Sequence, residues 1–472
     1  MGVTLIADEV GSMPPDGRTG RGRPLTLVAG AGAVVVGAVY PVTASLVSPV
    51  ALPAVGVAIL LFVISLRRPG VGVAVAFVLA SLTPGLAGSR SWVPGVVWTA
   101  TLVAVLAASR PALRAGEPAA SLPPLGLPVL LYGGTMMAAY AVSPAPELGF
   151  HLLRNAVAGI LLFLVASTSL RSWQDITTAL RGTSLSALIV GGLACLQYLR
   201  GASTGIGFVT SSGVLVARET AGFIHPNLLG GFLVALVPLA AGAAIIDRPW
   251  RLVHVTGLVL ALGGIYLSFS RGAILAVLLM PLLLLRGRWI ALLVPAALIT
   301  LAVGVPPVMT ERFALGGQDG GQIAGRRDIW STAGSIWIER PLLGTGLGGF
   351  PGAYAAVRVS GKQFLPDTRF QPPPHAHNLE LQLLAEQGLV GFCAFGAVVV
   401  TTGRHVRRLR SSRSRRQAAL GAALLAWLAG ILLHNLFDAT LVENAGVQFW
   451  GVLGLLSAAI RLGRAEAGVG GG

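Results

Sequence analysis

Charged side chains are scarce in this chain of 472 residues, where Asp, Glu, Lys and Arg together supply only 11% of positions. A soluble domain carries about 25%, so the composition excludes an ordinary soluble protein. Hydrophobic residues make up 54% of the chain. Apolar runs long enough to cross about 30 Å of hydrocarbon recur from end to end. The sequence therefore predicts an all-α polytopic membrane protein.

Cysteine and lysine are almost absent. Cys195 and Cys393 both lie within apolar runs, which excludes a disulfide framework. Lys362 is the only lysine, so arginine carries nearly all of the positive charge behind the net charge of +16. These arginines punctuate the apolar runs as the positive-inside rule expects. The charge therefore indicates a membrane topology and not a nucleic-acid partner.

Hydropathy predicts about 12 to 14 transmembrane helices, and the arginine distribution places both termini in the cytoplasm. Residues 1–24 lack the apolar core of a signal peptide and are expected to form a disordered cytoplasmic tail. Residues 25–463 are expected to form a single domain in the cytoplasmic membrane. Its fourteen candidate spans are residues 25–42, 49–66, 71–87, 93–109, 124–143, 152–170, 184–200, 226–246, 252–269, 273–286, 289–306, 379–401, 418–437 and 445–462.

Two of the connecting segments predicted to face outward stand out, residues 201–225 and residues 307–378. The second is far longer than a connection requires, which is typical of functional loops. Within it, "GRRDIWSTAGSIWIERPLLGTGLGGF" predicts a short amphipathic helix starting near Arg326, because apolar side chains recur at helical spacing. Arg326 falls on the apolar face and Arg327 on the polar one. The alternative is a surface helix with two solvated arginines.

An arginine stands between two apolar runs in "LSFSRGAIL". Arg271 is predicted at or just below the outer membrane boundary, and a charge within the membrane is costly. Its neighbours Ser268, Ser270 and Gly272 are small or polar, which favours an anion pocket. An arginine that snorkels to the headgroups is the alternative. Arg154, in "HLLRNAV", is predicted at a similar depth and could join this pocket.

Two of the seven histidines stand in "PPPHAHNLELQLLAEQGLVG", where a proline run meets an apolar helix. Asn378 is a good N-cap residue, so His377 is expected at the start of that helix. The positive end of a helix disfavours imidazolium and leaves a neutral ring able to accept a proton. His377 is therefore a candidate general base. His375 is expected to be less constrained, and the alternative for both is a solvated loop histidine.

The order of these motifs resembles the O-antigen ligase and Wzy polymerase superfamily over about residues 220–460. The segments that carry the resemblance are "SRGA", "GRRDIW…ERPLLGTGLGGF", "HAHNLELQLLAEQGLVG" and "HNLFD…FWGVLGLL". The resemblance implies a helical GT-C-like membrane fold. It also implies metal-independent, inverting transfer of a glycan from an undecaprenyl-diphosphate carrier to an acceptor hydroxyl at the outer face of the cytoplasmic membrane.

The resemblance also implies roles for particular residues. His377 matches the histidine of the "HN" motif, which implies the catalytic base. Arg271 and Arg326 match arginines that hold the lipid diphosphate. The Arg326-Arg327 doublet departs slightly from a single-arginine pattern, so Arg327 is a second candidate for this contact. Arg154 is a further candidate because of its predicted depth.

Secondary roles are expected for three more residues and for several partners. His375 is expected to contact acceptor or phosphate, with Asn378 beside it, and Glu386 matches an acid that is a structural partner. No DxD motif occurs, and the only adjacent acids are Asp8 and Glu9, so no metal and no cofactor is expected. The implied partners are an undecaprenyl-diphosphate-linked glycan donor, a glycan, lipid or protein acceptor, and membrane lipids.

Two other functions remain open at this point. A transporter of a small anion or glycan-related solute is the main alternative to a glycan ligase or polymerase. An ion-coupled carrier usually places acids in mid-membrane, whereas the candidates Glu386 and Asp438 lie towards predicted helix ends. A non-catalytic scaffold of an envelope complex is the third reading, and it predicts that His377 can be replaced without consequence.

Overall fold

The computed structural model describes residues 68–87, 122–202, 206–210, 212–284, 320–360, 373, 375–442 and 445–469. Most of these residues are helical. The helices are α1 (Pro69–Ala87), α2 (Gly126–Ala141), α3 (Pro146–Ser169), α4 (Trp173–Leu199), α5 (Pro226–Ile246), α6 (Arg251–Ser268), α7 (Arg271–Leu284), α8 (Gly320–Glu339), α9 (Phe350–Ser360), α10 (Leu379–Arg410), α11 (Arg415–Asn435) and α12 (Ala445–Val469). Short 3-10 turns cover Arg248–Trp250 and Thr440–Val442.

Seven helices in the described ranges are long and apolar enough to cross a membrane: α3, α4, α5, α6, α10, α11 and α12. Helices α1 and α7 contain shorter apolar stretches, Pro69–Leu82 and Arg271–Met280. These helices agree with the predicted all-α polytopic architecture. Ten of the fourteen predicted spans coincide with described helices, and residues 25–42, 49–66, 93–109 and 289–306 lie outside the described residues.

Hydropathy misplaces several helix ends. Helix α4 begins at Trp173, eleven residues before the predicted start at 184. Its first turns are polar, but Ser172 and Asp175 form a reciprocal capping box that starts the helix there. Helix α10 likewise continues nine residues past 401, through a basic last turn that favours the helix C-terminus.

The prediction of a purely α-helical fold overlooks one small hairpin in the 201–225 segment. Strand β1 (Gly207–Val209) pairs antiparallel with β2 (Leu215–Ala217). The turn is closed by a hydrogen bond from the Thr210 N–H to the Val214 carbonyl at 2.9 Å, and Gly213 has a φ of 81°. Such short strands carry little periodicity, so hydropathy does not detect them.

The main apolar core lies among α2, α3, α10, α11 and α12, and a second core joins α4, α5, α6 and α7. The largest buried side chains include Trp427, Phe163 and Phe449, and the Trp427 and Phe449 rings stack at 5.3 Å. Glycines let the helices approach each other closely. A Cβ on Gly191 of α4 would lie 2.4 Å from the backbone of Leu260 on α6.

The described part of the 307–378 segment contains two helices, α8 and α9, where one short helix is predicted. Helix α8 begins at Gly320, six residues before the predicted start, and is 20 residues long. Its Ala333 and Ile336 are buried against Phe350 and Tyr354 of α9 and against Ala385 of α10. Apolar packing onto α10 therefore fixes the position of α8.

Helix α10 is kinked at Gly388, whose φ of 62° and ψ of −164° are far from helical values. The kink lets the Leu389 N–H donate to the Pro341 carbonyl at 2.8 Å. One turn earlier, the Glu386 carboxylate accepts a hydrogen bond from the Phe350 N–H at 3.1 Å. The 307–378 segment is therefore hydrogen-bonded to the early turns of α10.

Replacing Gly388 with Ala should destabilise the protein. An L-residue in this backbone conformation is strained by about 1–3 kcal/mol, and the added Cβ would lie 2.3 Å from the carbonyl of Leu342. We expect a lower apparent unfolding temperature in detergent. Gly396→Ala is the matched control, because its Cβ on the same helix meets nothing within 4 Å. Equal unfolding temperatures for the two variants would show that the kink is not required.

A candidate active site where helix ends meet

A cavity of about 280 Å³ lies where the first turns of α5, α7 and α10 meet the end of α11, with α8 above it. Its lining is polar and basic at this end of the helix bundle. The lining residues are Arg218, His225, Asn227, Ser270, Arg271, Gly272, Arg326, Ile329, His377, His434, Phe437 and Asp438.

Three helices, α5, α7 and α10, begin beside this cavity, so the positive ends of their dipoles lie near it. Asn227 lies in the first turn of α5, Arg271 begins α7, and His377 immediately precedes the N-cap of α10. Helix N-termini attract anions. The backbone alone therefore makes this cavity favourable for a negatively charged group.

Three arginines add to this positive potential. Arg218 is buried, and its guanidinium donates to the Ser268 carbonyl at 2.8 Å and to the Asn227 amide oxygen at 2.7 Å. Burial lowers the pKa of Arg326. The negative charge of Asp438 partly offsets this shift, and the positive charge of Arg271 adds to it. Arginine remains charged under such shifts and pairs bidentately with phosphate oxygens. The cavity is therefore suited to bind a phosphate or diphosphate.

One carboxylate faces the two histidines of the "HAHN" motif. His377 Nδ1 lies 3.4 Å from Asp438 Oδ1, and His375 Nε2 lies 3.9 Å from the same oxygen. The two imidazole rings meet nearly edge to face with centroids 4.3 Å apart. Asp438 is 2% exposed. His375, His377 and Asp438 are referred to below as the His–Asp cluster.

Backbone geometry turns His377 towards the cavity. Its φ of 51° is left-handed, which is uncommon for a residue with a Cβ and frequent near functional sites. The predicted N-cap at Asn378 is confirmed, because its side chain accepts from the Leu381 N–H at 2.8 Å. Asn378 also donates to the Leu436 carbonyl at 3.0 Å, which joins α10 to the end of α11.

Local hydrogen bonds indicate which ring nitrogens carry protons. His375 Nδ1 accepts from the His377 N–H at 3.2 Å, so we assign the proton of the neutral His375 ring to Nε2, which faces Asp438. Asp438 also faces His377 Nδ1, which favours a proton on that atom and leaves His377 Nε2 with a free lone pair. His377 thus has the tautomer that a general base requires.

A metal ion is the other occupant that the His–Asp cluster could hold. Its three candidate ligand atoms lie within 4.8 Å of one another. However, His375 Nδ1 already accepts a backbone hydrogen bond, so binding a metal through Nε2 would require moving the ring proton and losing that bond. The hydrogen-bonding pattern therefore fits a His–Asp–His arrangement better than a metal site.

The structure brings together some of the predicted site residues. Arg271, Arg326 and His377 line one cavity. Arg327 is exposed on α8 and Arg154 is exposed on α3, and neither lines the cavity. Their phosphate-binding roles remain predictions.

Glu386 and His375, two further residues predicted for the site, lie in different surroundings from each other. Glu386 is buried away from the cavity and bonds the N–H of Phe350, as a structural partner would. The expectation that His375 is the less constrained histidine is wrong. Its side chain is 10% exposed, against 24% for His377, and its Nε2 lies 3.9 Å from the buried Asp438 carboxylate.

Sequence reasoning gave no role in this site to several residues that line the cavity, above all Arg218 and Asp438. Asp438 was considered only as a possible acid of an ion-coupled carrier. His225 was also missed, although "HPN" at residues 225–227 resembles the "HAHN" junction. His225 Nδ1 accepts from the Asn227 N–H at 3.1 Å, just as His375 accepts from the N–H two residues later. A histidine near a helix start whose Nδ1 accepts the N–H two residues later is therefore a repeated local feature that could have identified this position.

These features define a multi-pass α-helical membrane protein with an electropositive, histidine-containing cavity at one end of its helix bundle. Residues 256–396 match the family model Wzy_C, described as O-antigen ligase. The matched segment contains Arg271, Arg326 and His377, and it confirms the resemblance to this family over that part of the chain. A search of curated proteins found no match.

The buried histidines should make the stability of the protein fall in mild acid. Burial, and to a smaller extent the neighbouring His377, lower the pKa of His375 to about 4. Burial and Arg218 have the same effect on the pKa of His225. Between about pH 6.5 and 4 the unfolded chain therefore binds more protons than the native state. Each histidine removes up to about 1.4 kcal/mol of stability per pH unit in this window.

Unfolding temperatures measured in detergent from pH 7 to 4.5 test this expectation. His375→Gln should show a weaker pH dependence than the unaltered protein. His151→Gln, which removes an exposed histidine on α3, should retain the full pH dependence. If His375→Gln and His151→Gln behave alike, the buried histidine does not cause the effect.

Proposed function

We propose that this protein transfers a glycan from an undecaprenyl-diphosphate-linked donor to an acceptor hydroxyl, as a membrane glycan ligase or polymerase. The observation that carries the proposal is the cavity that brings His377 beside three arginines and the first turns of α5, α7 and α10. The match of residues 256–396 to the O-antigen ligase family supports the same reaction class. We also propose a GT-C-like fold, which superposition of an experimental structure on GT-C enzymes would test.

In the proposed reaction, His377 acts on the acceptor. Its Nε2 takes the proton of the acceptor hydroxyl while the hydroxyl oxygen attacks the anomeric carbon of the donor glycan. Asp438, beside Nδ1, stabilises the imidazolium that forms and holds the ring orientation. The bond between the anomeric carbon and the diphosphate oxygen breaks, and its electron pair leaves with undecaprenyl diphosphate. A single displacement of this kind inverts the anomeric configuration, which NMR of the product linkage would detect.

The arginines act on the leaving group. Diphosphate needs no proton to depart, but negative charge accumulates on its bridging oxygen as the bond breaks. Arg271, Arg326 and Arg218 stabilise this charge, together with the N-termini of α5 and α7. The site therefore supplies with side chains and helix dipoles the charge stabilisation that a metal ion supplies in many other transferases, and we propose a metal-independent reaction.

We further propose that this cavity opens at the outer face of the cytoplasmic membrane and that both chain termini are cytoplasmic. The support is the arginine distribution: the last turn of α10, at the end away from the cavity, contains Arg407, Arg408 and Arg410.

Cysteine labelling tests this orientation in a variant with both native cysteines replaced by Ser. Gly352→Cys on α9, where a Cβ meets nothing within 4 Å, should react with an impermeant thiol reagent in intact cells. Arg413→Cys, between α10 and α11, should react only after lysis. The reverse pattern would invert the topology.

Replacing His377 with Ala should leave a folded membrane protein that has lost activity. General-base catalysis contributes about 10²–10⁴-fold, so the rate of transfer from purified lipid-linked glycan should fall by about that factor. Asp438→Asn should also reduce the rate, and the double variant should be no slower than His377→Ala alone, because the two residues act as a unit. Unaltered protein should retain its activity in EDTA.

Two controls make this experiment decisive. His151→Ala removes an exposed histidine and should retain normal turnover. Equal unfolding temperatures for His377→Ala and the unaltered protein show that the loss is catalytic. Near-normal turnover by His377→Ala would eliminate the general-base mechanism, and loss of activity in EDTA would eliminate its metal-independent form.

Conservative replacement of the cavity arginines tests diphosphate binding. Arg271→Lys and Arg326→Lys keep the charge but lose the bidentate fork, so each should recover little of the activity lost in the corresponding Ala variant. Arg327→Lys, on the exposed side of α8, should remain active. Full activity of Arg271→Lys would indicate that this residue only anchors the helix by its charge.

A further inference from the structure

A second cavity, of about 210 Å³, lies at the opposite end of the helix bundle. The last turns of α10, the first turn of α11 and the later turns of α12 surround it. It is about 40 Å along α10 from the His–Asp cluster, at 1.5 Å per residue. The hydrocarbon core of a bilayer is about 30 Å thick, so this cavity lies at the other membrane boundary.

Three basic side chains line this cavity: His405, Arg408 and Arg464. No carboxylate is among its lining residues in the part of the chain that the structure describes. Within that part, neither Arg408 nor Arg464 has a carboxylate oxygen within 4.0 Å. The cavity therefore concentrates positive charge without an internal counter-ion.

Two other arginines near the same end of the bundle, Arg461 and Arg416, contact other groups of the protein. Arg461, one turn before Arg464, donates to the Leu170 carbonyl at 2.8 Å at the end of α3. Arg416 lies over the Trp173 ring at 5.8 Å. Basic residues at this membrane boundary thus have protein partners in some positions, whereas Arg408 and Arg464 face the cavity.

A chain of hydrogen bonds fixes the Gln417 side chain at the floor of the cavity. Gln417 is 8% exposed, and its amide donates to Glu466 at 2.7 Å and accepts from Ser412 at 2.7 Å. The second oxygen of Glu466 accepts from the Trp173 indole at 2.6 Å. The nearby acid is therefore held by neutral donors. Gly463 leaves room above the Gln417 amide, because a Cβ there would lie 3.3 Å from it.

We propose that this cavity binds the phosphate headgroup of an anionic phospholipid. Two guanidinium groups and an imidazole around one concave site match a phosphate. The site lies at the depth of lipid headgroups, where basic pockets between transmembrane helices recruit anionic lipid. The bound lipid joins the ends of α10, α11 and α12, whose opposite ends hold His377, His434 and Asp438.

Native mass spectrometry of the purified full-length protein tests lipid binding without any assay of catalysis. The protein is equilibrated with equal amounts of phosphatidylglycerol and phosphatidylcholine, and the retained lipids are counted. Phosphatidylglycerol should be retained preferentially. Arg408→Gln combined with Arg464→Gln should weaken its binding roughly 10- to 30-fold, the effect of removing two cations near an anionic headgroup. Gly463→Leu, which fills the cavity without changing charge, should also weaken it.

Matched variants separate this site from general attraction to a basic surface. Arg404→Gln combined with Arg413→Gln removes the same charge from exposed positions outside the cavity and should bind phosphatidylglycerol as the unaltered protein does. Equal losses in the two double variants would overturn the proposal, as would absence of any lipid preference. Displacement of the lipid by millimolar inorganic phosphate would assign the cavity to a free anion instead. His377→Ala should retain the lipid, so failure of the catalytic proposal leaves this one standing.

Discussion

The buried carboxylate of Asp438 is the charge on which the rest of the candidate site depends. Burial by itself would raise its pKa, but hydrogen bonding to His377 and the nearby His375 and His434 rings lower it well below the usual carboxyl value. Asp438 therefore stays ionised while almost fully removed from water. An ionised carboxylate in such a place must be compensated, and the surrounding histidines and arginines provide this compensation.

This arrangement constrains both chemistry and topology. Asp438 belongs to the short connection between α11 and α12, whereas the histidines precede α10, and Asn378 joins the same two regions through the Leu436 carbonyl. The proposed general base, its proposed orienting acid and the helix start beside them are thus fixed by contacts between distant parts of the chain. A displacement of α11 relative to α10 would change the tautomer preference of His377 as well as its position.

The position of α8 depends on a second constraint, the close approach of two backbones at Gly388. No Cβ fits between α10 and the Leu342 carbonyl, and the glycine-rich turn after α8 repeats this feature at Gly344, whose Cβ would lie 2.4 Å from Glu386. These contacts hold α8 against α10, and α8 brings Arg326 over the cavity. A side chain that we propose to bind phosphate is therefore placed by glycines that do not line the cavity.

Some of this structure could be predicted from sequence because it depends on local rules. Helical hydropathy identifies ten described helices, and Asn378 identifies the start of α10. His377, Arg271 and Arg326 stand out because polar residues are rare in apolar surroundings. The left-handed backbone of His377 could not be predicted, since nothing in its neighbours requires it. Arg218 and Asp438 were missed because their importance arises from contacts with residues distant in the chain.

The basic residues behind the net positive charge have different surroundings at the two ends of the helix bundle. The chain contains 34 basic and 18 acidic residues, and its basic residues fall into groups with different environments. In the cavity at the start of α10, a buried carboxylate, helix dipoles and protein hydrogen bonds fix the arginines, which favours selective stabilisation of a charge that develops during reaction. At the far end of α10, Arg408 and Arg464 line a cavity that has no acid among its described lining residues. Cations without a nearby acid gain most from an anion that stays bound. On the two proposals above, arginine therefore stabilises a transient charge at one end of the bundle and a permanent charge at the other.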